Sequence, residues 1–210
     1  MSARNLFERT IEGIIQCVWA ITGGVSFTLL FSPLLLAGTL ITTGTLTTVP
    51  WSLGLIMKNY FQLLAYLIFP WVSALKMTDF PTSPSAALHF MEVKHLFWFA
   101  LVGFVMASGI LFFWIQWLRV ERRHWLMTRS IRVAEWLPVI FFVLVLVLGF
   151  DTVFVGFHHL FFHNNAWLFD PATDPIIEVL TETFFLICAV MVVVVYEGEL
   201  WWLKHSILKR

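Results

Sequence analysis

The sequence predicts an all-α integral membrane protein with four transmembrane helices, and three observations carry that prediction. Hydrophobic residues make up 60% of the 210 residues and charged residues 12%, whereas soluble domains hold roughly 45–50% and about 25%. Charged side chains vanish over long runs: none stands between Glu12 and Lys58, from His95 to Leu118, or from Trp136 to Phe150. Ten of the 13 Lys and Arg residues gather in the head, the 119–135 segment and the tail.

The elements come in order along the chain. A first span over about 13–38 exceeds the roughly 20 residues that a crossing helix needs. Glu8 and Glu12 stand among the basic residues of the head, and the apolar run after them is too long for the core of a signal peptide. The first span is therefore expected to be retained. The Thr-rich "TLITTGTLTTVP" reads as its exit, and "WSLGLIMKNYFQLLAYLIF" (51–69) alternates oily and polar positions at helical spacing, as an interfacial helix does. Pro70, Pro81 and Pro84 break the chain beyond that helix. The second span covers about 95–118 and the third about 136–152, with Arg132 snorkelling at one end and Asp151 at the other. The fourth covers about 178–203, and Asp174 before Pro175 fits its N-cap and first helical position.

The basic residues orient the chain. Four spans put both termini and the 119–135 loop on one side, which takes Arg4, Arg9, Arg119, Arg122, Arg123, Arg129, Arg132, Lys204, Lys209 and Arg210. Only Lys58, Lys76 and Lys94 fall opposite. Both termini are expected in the cytoplasm of a multi-pass plasma-membrane protein, with segments of about 40–94 and 153–177 facing outward. A net charge of zero gives no case for nucleic-acid binding. Cys17 and Cys188 stand far apart in apolar runs, without a CxxC or Cys/His zinc pattern, and read as apolar fillers.

Chemistry concentrates on the outward side, which holds His89, His95, His158, His159 and His163. His124 and His205 sit among cytoplasmic basic residues and read as interfacial polar groups. His159 and His163 are four apart, the spacing that puts two metal ligands on one helical face, and Asp170 and Asp174 can add oxygens, but no HExxH pattern accompanies them. Without metal, a histidine takes and returns a proton near neutral pH, so His89 and His158, from different segments, can serve the two ends of an acyl transfer. An aromatic and histidine belt at the bilayer surface accounts for the same residues. No GxSxG elbow exists, and Ser83 and Ser85 fit a turn or cap before a helix. Asp79 either starts a turn or orients a histidine, while Glu92 and Lys94 read as helix-start and interface charges. Apart from histidines at their ends the spans offer almost no polar residues, which argues against a transporter.

Two motifs resemble a known family. "DFPTSPSAALHFMEVKHLF" is similar to its first signature, with Asp-Phe-Pro, a serine, His-Phe, Val-Lys and Leu-Phe. "FHHLFFHNNAWLFDPATDPII" is similar to its second, with Phe-His, Phe-Phe, an Asn, a Trp and Asp-Pro. The family is the lipoprotein intramolecular transacylases of Gram-positive bacteria. The resemblance implies four transmembrane helices under an extracellular cap, no cofactor, and membrane lipid plus a diacylglyceryl lipoprotein N-terminus as partners. It implies transfer of the sn-2 acyl chain to the N-terminal cysteine amine. Two histidines would carry the reaction, here His89 and His158, with His159 as the alternative to His158. Tyr60, Phe80, Phe157, Phe161 and Trp167 are then expected around the substrate, Asn164 at the oxyanion, and Asp79, Ser83 and Asp174 in support. Thr181 stands where similar sequences carry proline. Two rival readings use the same residues: a metal-dependent membrane lipid or amide hydrolase, and a non-enzymatic accessory subunit.

Overall fold

In the computed structural model, which describes residues 3–120 and 125–208, the charge-free runs become helices. The order is α1 (Ala3–Thr42), α2 (Leu53–Ile68), α3 (Pro84–Val120), α4 (Trp125–Ala134), α5 (Leu137–Leu148), α6 (Phe150–Phe161) and α7 (Glu182–Leu208), with short 3₁₀ turns at Thr45–Thr47 and Pro175–Glu178. Among the described residues no strand occurs, and four helical stretches are long and apolar enough to cross a membrane: Thr10–Thr42, Pro84–Leu118, Ser130–Leu148 and Glu182–Ser206. The protein is an all-α, multi-pass membrane protein. Of the expected cytoplasmic loop and tail, Arg122, Arg123, His124, Lys209 and Arg210 lie outside the described residues.

Several boundaries differ from those the sequence suggests, each for a local reason. The Thr-rich segment continues α1: Thr39, Thr42 and Thr43 donate their hydroxyls to the carbonyls of Leu35, Gly38 and Thr39 at 2.7–2.8 Å. These bonds serve backbone acceptors at the helix end, and Gly44, at φ +74°, then turns the chain. Helix α3 starts at Pro84, eleven residues before the expected span at His95, because Ser83 caps it and Pro84 occupies its first position. In the third stretch Gly149, at φ +81°, ends α5, and α6 opens at Phe150, inside the expected third span, and runs on into the segment expected to face outward. Phe150, Phe154, Phe157 and Phe161 recur at helical spacing and mark that helix. Asp174 does not cap α7. Pro175 opens a 3₁₀ turn, and Thr181 caps α7 by accepting the Phe184 N–H at 3.3 Å.

The chain divides into two compact units, each with its own core. One comprises Met1–Thr28, Phe99–Val147 and Val190–Arg210. Its core holds Trp19, Ala20, Leu111, Leu118, Ile131, Tyr196 and Leu200. Polar ties cross it: Trp19 donates to Ser108 Oγ at 2.9 Å, Tyr196 to the Ala134 carbonyl at 3.0 Å, and Lys204 pairs with Glu135 at 2.9 Å. This unit also buries Gln16, and the carboxylate of Glu199 occupies the space a Cβ on Gly23 would fill. The spans are therefore less uniformly apolar than the sequence suggests.

The other unit comprises Leu29–Trp98 and Leu148–Ala189. Its core joins Leu36 and Leu40 of α1, Ile56, Tyr60, Leu63 and Leu67 of α2, Phe80, Ala86 and Phe90, and Ile176, Val179 and Phe184. Side chains spaced by three and four residues put the buried stripe of α2 on one face. Two amides on that helix hold the chain before α3. Asn59 donates to Asp79 and accepts the Asp79 backbone N–H at 3.0 Å, and Gln62 accepts the Thr78 N–H at 2.7 Å. A second tie starts from Pro33, which lacks the N–H that the Leu29 carbonyl would receive in an uninterrupted helix. The Ser32 hydroxyl donates to that carbonyl at 2.7 Å, and Tyr60 donates to Ser32 at 2.6 Å.

Candidate active site

The second unit places His89 and His158 together. His89 sits in the second turn of α3, whose start is fixed twice: Ser83 Oγ accepts the Ala86 N–H at 3.1 Å, and the Ser83 N–H donates to Asp174 Oδ1 at 2.7 Å. His158 lies in the last turn of α6. The ring centroids of His89 and His158 are 5.8 Å apart, and the residues are 7% and 8% exposed. Aromatic rings enclose the pair. Phe162 and Phe169 lie 4.6 and 5.6 Å from His89, and Phe154 and Trp167 lie 4.1 and 4.7 Å from His158.

Hydrogen bonding gives the two rings different equipment. His158 Nδ1 lies 2.8 Å from the Phe154 carbonyl oxygen. A carbonyl only accepts, so Nδ1 carries the proton and Nε2 of the neutral ring presents its lone pair. Burial pushes the His158 pKa down from 6.5, the Phe154 carbonyl partly opposes this, and His159 pushes it down again. The ring is thus kept in its basic, neutral form. Buried His89 Nδ1 has no hydrogen-bond partner among the described residues. Buried polar groups normally have partners, so this atom is available to a bound molecule.

The remaining expected site residues divide. Trp167 lies tilted beside His158, and its buried Nε1 has no partner among the described residues. Phe157 lies 5.6 Å from His158 and 4.7 Å from Phe161, and both phenylalanines are about half exposed. Asn164 does not stand free: its Nδ2 donates to Glu92 Oε1 at 2.8 Å, and its Oδ1 accepts the Ala166 N–H at 2.9 Å. Tyr60 and Phe80 belong to the core, where Tyr60 packs edge-on to Phe184 and Phe80 packs on Trp51. Asp79 pairs with Lys58 at 2.9 Å and Asn59, which hold its pKa below the usual carboxylate value; it orients no histidine. Ser83 and Asp174 act on the start of α3. His95, His159 and His163 are exposed. Helix α6 ends at Phe161, so His159 and His163 do not share a helical face. Among the described residues no group of three or more His, Cys, Asp or Glu side chains is placed to hold a metal.

Sequence reasoning passed over Phe154, Phe169 and the Glu92–Asn164 bond. The helical recurrence from Phe150 to Phe161 marks Phe154, but no local signal joins Glu92 to a residue 72 positions away.

The model of the lipoprotein intramolecular transacylase Lit family matches residues 10–185. The chain belongs to that family. Three solved structures are similar to it, all of the membrane integral lipoprotein intramolecular transacylase Lit from Bacillus cereus. One has a TM-score of 0.82 at 20% identity, covering 97% of this chain and 97% of the other. A form with a histidine-to-arginine substitution has a TM-score of 0.78 at 20% identity, covering 99% and 97%. A histidine-to-alanine form has 0.77 at 19%, covering 97% and 94%. At this identity the structures speak to the transacylase fold. No curated protein sequence matches the chain.

Proposed function

We propose that this transacylase moves the sn-2 acyl chain of a diacylglyceryl lipoprotein onto the amine of its N-terminal cysteine, with His89 and His158 as catalytic residues. The observation that carries the assignment is the enclosed histidine pair, in which the Nδ1 bond to Phe154 leaves His158 Nε2 free. His158 takes a proton from the amine as its nitrogen attacks the ester carbonyl. The tetrahedral adduct collapses, the amide C–N bond replaces the ester C–O bond, and the proton taken up by His158 passes by way of His89 to the departing glyceryl oxygen, so that both rings return to their starting state. One proton thus passes from nitrogen to oxygen, and no water is consumed.

Both reacting groups belong to one molecule. Holding them in contact is worth up to ~7–11 kcal/mol of barrier, and the phenylalanines around the pair keep water from the ester. The unpartnered N–H of Trp167 is the donor best placed for the oxyanion. Asn164, engaged by Glu92 and Ala166, serves instead to position that segment. The distribution of Lys and Arg supports cytoplasmic termini and an outward-facing site in the plasma membrane. The substrate enters from membrane lipid, and nucleic acid has no part.

The test uses purified protein and a diacylglyceryl lipopeptide with an isotopically labelled sn-2 chain. Fragmentation mass spectrometry should find the label on the cysteine nitrogen. Release of the label as free fatty acid would instead support a hydrolase.

A further inference from the structure

Glu92 lies one helical turn beyond His89, on the same face of α3. Its Oε1 accepts from Asn164, but its Oε2 is buried and accepts no hydrogen bond from any described residue. The nearby cation is committed elsewhere. Lys94 Nζ donates to the carbonyls of Phe69 and Val72 at 3.1 and 2.6 Å and sits 4.4 Å from the centre of the Tyr66 ring. A buried carboxylate oxygen without a donor is costly, so its donor is to be sought outside the chain.

The carboxylate is also held in place. Asn164 Oδ1 takes the Ala166 N–H, which turns the amide nitrogen toward Glu92. The next residue is Trp167, beside His158. Glu92 is therefore tied to both catalytic histidines, through α3 to His89 and through Asn164 and Trp167 to His158. Two atoms without a partner among the described residues are of opposite kinds: Glu92 Oε2 only accepts and Trp167 Nε1 only donates. The substrate offers the matching pair, an amine that donates and an ester carbonyl that accepts.

We infer that Glu92 Oε2 is the receptor for the substrate's α-amino group. This rests on the acyl-transfer reading above. One N–H of the amine is given to Glu92. That contact holds the nitrogen while a second N–H faces His158 and the lone pair faces the ester carbonyl.

The test measures binding of two ether-linked dialkylglyceryl lipopeptides, one with a free amine and one N-acetylated, to protein in detergent. Neither can transfer a chain. Wild type should prefer the free amine by about ten-fold, as for one charge-assisted hydrogen bond. Glu92→Gln, which keeps the shape and the Asn164 contact but turns the free acceptor into a donor, should abolish the preference. Glu92→Asp should retain its direction. Equal binding of the two peptides by wild type overturns the assignment even where E92Q fails to fold. So does a preference that persists in a folded E92Q, as it would if Oε2 held only a water. Acyl transfer by wild type on the ester-linked parent peptide is followed in parallel. Its absence counts against the transacylase reading, whereas transfer with an unchanged E92Q preference counts against Glu92 alone.

Discussion

The backbone N–H of Ser83 donates to Asp174 across 91 positions of sequence, at 2.7 Å, and so ties the start of the helix that carries His89 to the segment after α6. Asp174 is buried and also accepts the Thr173 hydroxyl at 2.8 Å. Asp174→Ala leaves the Ser83 N–H without its acceptor, at a cost of about 1–3 kcal/mol. The expected result is a lower unfolding temperature in detergent with reduced kcat. Asp174→Asn keeps an acceptor oxygen and should lie between wild type and alanine in both measurements.

The pH dependence of kcat/KM reports the base. Burial holds the His158 pKa below 6.5 against the opposing Phe154 carbonyl, and His159 adds to the depression. The neutral form is the base, so the acid limb of the profile should fall below pH 6.5. His159→Ala should move that limb upward, toward 6.5, without abolishing activity. The same shift acts on stability: the unfolded chain binds the proton at a higher pH than the fold does. His158 therefore destabilises the protein as pH falls below 6.5 and has no such effect above it. An acid limb above 6.5 would contradict the base assignment.

Trp167→Phe removes the indole N–H and keeps an aromatic ring beside His158. If that N–H stabilises the oxyanion, kcat should fall by about 10²–10³-fold with little change in KM. A rise in KM at constant kcat would make Trp167 a wall alone.

Tyr60→Phe separates core from site. The hydroxyl donates to Ser32, which serves the Leu29 carbonyl left by Pro33, and burial and a neighbouring cysteine push its pKa upward. Losing this bond should cost about 1 kcal/mol of stability and leave kcat and KM unchanged.

These residues mark how far the sequence could be read. The four apolar stretches were legible because charge depletion is local, and residue type alone singled out the two histidines whose rings lie 5.8 Å apart. The start of α3 was partly so, since Ser83 and Pro84 carry a cap signature. The role of Asp174 was not: its Asp-Pro pattern describes the turn it begins, while its carboxylate serves a helix 91 positions away. Tyr60 was misplaced because an aromatic at helical spacing fits a core and a pocket wall equally. Glu92 reads in the sequence as a helix-start or interface charge because such a charge is ordinarily solvated, and only its contact with Asn164 removes it from that class.

The most direct measurement compares wild type with single alanine variants of His89, His158, His159 and His163 in a bacterium that makes only diacylglyceryl lipoproteins. Mass spectrometry then locates the acyl chains on one N-terminal lipopeptide. An N-acylated lyso-form is expected with wild type, His159→Ala and His163→Ala, and unmodified diacylglyceryl lipopeptide with His89→Ala and His158→Ala. N-acylation that persists in either of the last two, in a folded variant, would contradict the dyad.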